Sequence, residues 1–116
     1  MRDHKKLRAF ELADELVIMV YRFTRGFPKE EVYGLSSQMR RAAISVPSNI
    51  VEGCSRTSTA EYKRFLEIAF GSLRELYYQY SIAIRLGYIE KDKNEVYNVK
   101  FVETEKVLAN LLRKTN

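Results

Sequence analysis

Tryptophan is absent from this chain of 116 residues, cysteine and histidine occur once each, and proline occurs twice. Each scarcity removes a kind of chemistry. A lone cysteine, Cys54, cannot close an internal disulfide, so a reducing cytoplasm is the expected compartment. Without a histidine partner it reads as a small packing residue rather than a nucleophile. His4, the only histidine, lies in a terminus expected to fray, which removes histidine-based triads and most zinc-site patterns. The carboxylates Glu52, Glu67 and Glu75 lack the Glu-x-x-His spacing of carboxylate-bridged metal bundles, so no metal is expected. Glycine-rich phosphate loops, strand patterns, low-complexity tracts and repeats are missing as well. No apolar run approaches the ~20 residues of a membrane span. No uninterrupted apolar core follows the basic start, which argues against a signal peptide. The chain is therefore expected to be no enzyme, to carry no cofactor and to have no membrane partner.

What is present suits a soluble helical domain. Hydrophobic residues make up 46% and charged residues 30%, enough for one core over residues 1–116. The formal charge is +5 and the isoelectric point near 9.4. Arg2, Lys5, Lys6 and Arg8 crowd the first eight residues against Asp3 alone. That balance permits a polyanionic partner without requiring one.

Apolar spacing predicts four helices, at about 6–25, 34–54, 59–86 and 92–113. In the first, Phe10, Ala13, Leu16, Val17, Val20 and Phe23 step by three and four, and Gly26 offers a left-handed cap before Pro28. Ile18, Met19 and Tyr21 widen its apolar stripe beyond one contact. The second carries Leu35, Met39, Ala42, Val46, Asn49 and Gly53 in phase. Pro47 lies inside it and predicts a kink near Ala43–Pro47 at a cost of ~3 kcal/mol. Ser58-x-x-Glu61 fits a capping box opening the third helix, whose seam is Tyr62, Phe65, Leu66, Ala69, Leu73, Leu76, Tyr80 and Ala83. Gly71 inside that helix predicts a close helix contact, since glycine costs ~1 kcal/mol there. Gly87 ends it, and Tyr97, Phe101, Leu108 and Leu111 face inward on the fourth. The fold class expected is all-α, an antiparallel up-down-up-down four-helix bundle.

Beside the apolar seams runs a polar stripe: Gln38, Arg41, Ser45, Asn49 and Glu52 on the second helix, Ser72 and Glu75 on the third. A hairpin centred near residues 56 and 57 places Ser45 opposite Ile68 and Ala69, and Arg41 opposite Ser72 within a turn of Glu75. An Arg41–Glu75 pair supported by Gln38 is the simplest arrangement. The stripe reads either as a structural network that fixes helix register or as a site for an anionic ligand. Tyr77, Tyr78, Tyr80, Tyr88 and Tyr97 suit either base stacking or an oligomer interface.

Gly34-Leu35, Ser37-Gln38, Arg40-Arg41-Ala42, Ser45-Val46-Pro47-x-Asn49-Ile50-x-Glu52-Gly53 and Arg56 form a specific combination. It continues through Tyr62, Phe65-Leu66, Ile68-Ala69, Gly71-Ser72-Leu73 and Glu75-Leu76. On these residues the chain resembles the bacterial four-helix-bundle proteins encoded in intervening sequences of 23S ribosomal RNA genes. The resemblance implies an antiparallel bundle assembling as a ring-shaped homopentamer, with RNA or DNA as the implied partner. The accessory protein of diversity-generating retroelements is a more distant relative, so a reverse-transcriptase partner follows only by analogy. The expected function is a non-enzymatic adaptor holding phosphate backbone through Lys5, Lys6, Arg8, Arg40, Arg56, Lys63 and Arg64. The alternative is a protein–protein scaffold whose positive charge is incidental.

Overall fold

In the computed structural model, which describes residues 2–116, the chain folds into four α-helices and no strand appears among the described residues. They are α1 (Arg8–Thr24), α2 (Leu35–Cys54), α3 (Thr59–Arg85) and α4 (Lys91–Lys114). Single 3-10 turns at His4–Lys6 and Lys29–Glu31 precede α1 and α2. The helices pack as a bundle around one hydrophobic core. No helix among the described residues is long and apolar enough to cross a membrane.

The helix ends follow local chemistry. Ser58 Oγ accepts the Glu61 amide at 3.1 Å and so caps α3. Gly87, at φ +79°, closes α3, with the Tyr88 amide donating to the Ala83 carbonyl at 2.9 Å. Gly26 is not left-handed: α1 instead ends through Arg25 in the helical region, and the Phe27 amide returns to the Thr24 carbonyl at 3.1 Å. Glu31 starts α2 from outside, its Oε1 accepting the Leu35 amide at 3.0 Å. At the N-terminus, where fraying is expected, the described residues make local contacts. Asp3 caps the first 3-10 turn, and His4 packs edge-on against Phe10 with ring centroids 4.6 Å apart. At the other terminus α4 reaches Lys114, and Thr115 is buried.

α2 runs as one helix through Pro47, which is buried along with Met39, Ala42, Ala43, Val46 and Ile50. Its most extensive contact is with α3. Gly53 makes that contact possible, because a Cβ there would lie 2.9 Å from Phe65 Cβ and 3.3 Å from the Tyr62 carbonyl oxygen. The close approach expected at Gly71 is therefore found at Gly53 instead. Gly71 faces outward, with nothing within 4 Å of where its Cβ would sit.

Each helix contact carries its own polar tie. Ser45 and Ser72 share a hydroxyl–hydroxyl bond of 2.8 Å between α2 and α3. The expected register put Ser45 against Ile68 and Ala69, so the observed partner lies about one helical turn further along α3. Lys100 bridges to Glu15 at 2.5 Å between α4 and α1. Tyr80 donates to Asn94 Oδ1 at 2.5 Å, and Tyr77 donates to Asn98, between α3 and α4.

Candidate nucleic-acid interface

The basic residues expected to meet a partner fall into three settings. Around the α2–α3 connection, the chain start folds back onto the end of α2. The Arg2 amide donates to the Cys54 carbonyl at 3.1 Å, and Arg2 Nη1 reaches the Arg56 carbonyl at 3.4 Å. The Arg2 guanidinium lies 3.9 Å from the Tyr62 ring centroid, and Arg56 lies 4.9 Å from that of Phe65. A cation over an aromatic face keeps its charge while its orientation is fixed. The Arg2 amide meets a carbonyl at the negative end of the α2 macrodipole.

Lys5 and Lys6 occupy the 3-10 turn that packs on α1 and α2, while Lys63 and Arg64 directly follow Tyr62 on α3. None of these four has a carboxylate partner within salt-bridge distance among the described residues. Arg56 is held by Glu52 at 3.3 Å, and its buried Nε has no hydrogen-bond partner. Arg8 is spent differently, paired with Glu11 and, at 3.4 Å, with Glu103 on α4. Arg2, which completes this group, lies outside every helix, so no periodicity in the sequence marks it.

Arg40 is separate from all of these. Its Nε donates to Thr24 Oγ1 at 2.9 Å, its Nη2 lies 3.4 Å from the Tyr21 carbonyl, and its guanidinium covers the Tyr21 ring at 4.7 Å. Arg40 therefore ties α2 to the last turn of α1, where a cation is favoured by the helix dipole.

The polar stripe divides into two parts. Asn49 Nδ2 donates to the Ser45 carbonyl at 2.8 Å and to Ser45 Oγ at 3.0 Å, joining the Ser45–Ser72 bond in a compact, partly buried chain. Gln38, Arg41, Glu52 and Glu75 are exposed. The expected Arg41–Glu75 pair is not formed; the Glu75 carboxylate instead takes a long contact of 3.5 Å from Gln79 Nε2. Both long side chains reach solvent, where a pair would gain little and lose side-chain freedom. Gln79 itself is 6% exposed and its Oε1 has no partner, a polar position the stripe's spacing did not reveal.

The tyrosines mostly serve the interior. Tyr77, Tyr80, Tyr88 and Tyr97 pack in or against the core, leaving Tyr78 outward at 63% exposure. Burial pushes the Tyr80 hydroxyl up to about 12, so it remains a donor to Asn94. Burial likewise pushes the Cys54 thiol up, away from the thiolate a nucleophile needs. Among the described residues no group of three or more His, Cys, Asp and Glu side chains is placed to hold a metal ion.

A solved structure described as a protein of unknown function from the S23 ribosomal protein family of Bacteroides thetaiotaomicron shares this fold. Its TM-score is 0.82 at 22% identity, over 91% of this chain and 96% of that one. Among curated proteins no match is found. The family described as 23S rRNA-intervening sequence protein matches residues 5–110, nearly the whole helical region built above. The chain belongs to the 23S rRNA-intervening sequence protein family.

Proposed function

We propose that this protein is a non-enzymatic, cytoplasmic homo-oligomer, a pentameric ring, that holds RNA or DNA through its basic surface without reading sequence. The observation that carries the reading is the group around the α2–α3 connection. Lys5, Lys6, Lys63 and Arg64 lack carboxylate partners there, while Arg2 and Arg56 are fixed over aromatic rings. Cations held this way neutralise phosphates and release counterions, giving affinity that falls steeply with salt. Ring assembly would repeat the +5 charge of each chain around an axis. The pairing of Ser45 with Ser72 and of Tyr80 with Asn94 supports an antiparallel up-down-up-down course. A bend in α2 at Pro47, whose nitrogen offers no proton to the Ala43 carbonyl, belongs to the same reading.

A mobility-shift titration at several salt concentrations tests this. The wild-type chain should bind RNA or DNA at low salt. Reversing Lys5, Lys6, Lys63 and Arg64 to Glu should abolish binding while the helical circular-dichroism signal remains. No shift by the wild-type chain at low salt would remove the nucleic-acid reading. Sedimentation showing a monomer at micromolar concentration would remove the ring.

A scaffold role is favoured by a different observation. Ile44 and Val51 on α2 are 42% and 37% exposed, and Ile68 on α3 is 42% exposed. Exposed apolar groups on neighbouring helices suit a protein contact. Under this reading a protein partner is recovered after nuclease treatment, and the four charge reversals leave that capture intact.

A further inference from the structure

The separate position of Arg40 leads to a second site. Between the end of α1, the segment 27–32 and the start of α2 lies a cavity of about 230 Å3. Its lining includes Arg25, Lys29, Arg40, Thr24, Ser36 and Phe27, and no carboxylate. None of the three cations is in a salt bridge among the described residues. Ser36, only 6% exposed, also lines the cavity.

Arg40 is already oriented. Thr24 Oγ1 and the Tyr21 carbonyl engage Nε and Nη2, which leaves Nη1 unused. The nearest acidic residues in sequence, Glu30 and Glu31, form no salt bridge with these cations among the described residues. Glu31 spends one oxygen on the Leu35 amide and the other on the Tyr88 hydroxyl at 2.9 Å, and Glu30 does not line the cavity. A larger groove of about 670 Å3 between α1 and α4 provides a contrast. Its rim sets Arg22 and Lys93 against Asp14, Glu15 and Glu90, so it has no preference for an anion.

We propose that the Arg25–Lys29–Arg40 cavity binds a phosphate group, with the Ser36 hydroxyl donating to it. Three positive donors and one hydroxyl match the acceptor-only oxygens of a phosphate, and charge-assisted bonds of this kind are about twice as strong as neutral ones. The Phe27 and Val32 side chains supply an apolar wall on which an attached sugar can rest. A phosphate here is either inorganic or the terminal group of a nucleotide or strand; the chemistry recognised is the same. The site stands on its own cations and does not depend on those around the α2–α3 connection.

Amide and arginine side-chain NMR of the full chain, titrated with inorganic phosphate against chloride at matched ionic strength, tests the site. Saturable shifts at Ser36 and Arg40 Nε, absent with chloride, are expected. The exposed substitutions Arg25→Ala and Lys29→Ala should together weaken binding at least about tenfold, the loss of one charge-assisted bond or more, without lowering the melting temperature. Adenosine 5′-monophosphate and a 5′-phosphorylated oligonucleotide binding more tightly than phosphate assigns a nucleotide source; equal binding assigns the free ion. Unsaturable shifts shared with chloride overturn the proposal. So does a 5′-hydroxyl oligonucleotide that moves Ser36 and Arg40 as strongly as the phosphorylated one. An oligonucleotide that shifts only Lys5, Lys6, Lys63 and Arg64 leaves the interface standing and removes this cavity.

Discussion

Two regions of the core solve the packing problem in opposite ways. Near the α2–α3 connection small groups of α2 face larger ones of α3: Gly53 and Cys54 are buried, and the α2 backbone closes on Phe65 and Tyr62. Where α1 ends and α3 meets α4, the interior uses rings. Phe23, Tyr80, Tyr97 and Phe101 form a connected set with centroids 4.7–6.5 Å apart, extended by Tyr77, Phe27 and Tyr88. Small groups let helices touch, and a hydroxyl pair suffices as the polar tie. Where rings fill the space, the tie is a phenol reaching an asparagine of the opposite helix. The first region fails when volume is added and the second when volume is removed.

The largest test is Tyr80→Ala. Losing the ring should cost about 3–5 kcal/mol, as for other buried aromatics, and urea unfolding should show a matching fall in midpoint. A loss near that of Tyr80→Phe would mean that the Asn94 bond, not ring volume, matters. Next is Gly53→Ala, which adds one carbon where Phe65 Cβ already crowds. About 1–3 kcal/mol of destabilisation is expected from overpacking; unchanged stability would show that α3 yields freely. Glu31 gives a smaller, pH-dependent effect in the ring region. Its carboxyl is held below the usual range by the Leu35 amide and then by the Tyr88 hydroxyl. Its stabilisation is therefore full above the ordinary carboxylate value and is lost as pH falls through the lowered folded value. Melting curves of wild type and Glu31→Gln should differ at neutral pH and converge in acid; a pH-independent gap contradicts the assignment. The smallest effect is Gly71→Ala, expected to stabilise by about 0.5–1 kcal/mol through helix propensity alone. A decrease on assembly, with the monomer unaffected, would instead place Gly71 at a subunit contact.

Much of this contrast was legible in the sequence, because buried seams must recur every three or four residues. Tyr62, Leu66, Ala69, Leu73, Leu76, Tyr80 and Ala83 are all buried on α3, as their spacing predicts. Glycines were less legible, since the letter alone does not say whether the missing side chain is needed for space, for dihedral freedom or for neither. Gly53, Gly87 and Gly71 represent those three cases. The candidate interface was legible in part. Lys63 and Arg64 follow from helix position, but Arg2 depends on a chain reversal that brings it to Cys54. Arg40 was singled out for charge, whereas its capture by Thr24 and Tyr21 arises from tertiary packing across α1 and α2. The Arg41–Glu75 expectation failed because helical spacing fixes a face and not the path of a long side chain.

The dominance of the α2–α3 contact also orders events in time. Four residues, 55–58, separate these helices, so their pairing closes a short loop and carries little entropic cost. During synthesis the small-residue region can therefore form as soon as α3 has emerged. The ring region must wait, because Phe101 and Leu108 arrive only with α4. Until then Tyr77 and Tyr80 present an open aromatic face, and a chain ending before Lys91 should bind a hydrophobic dye that the full chain excludes.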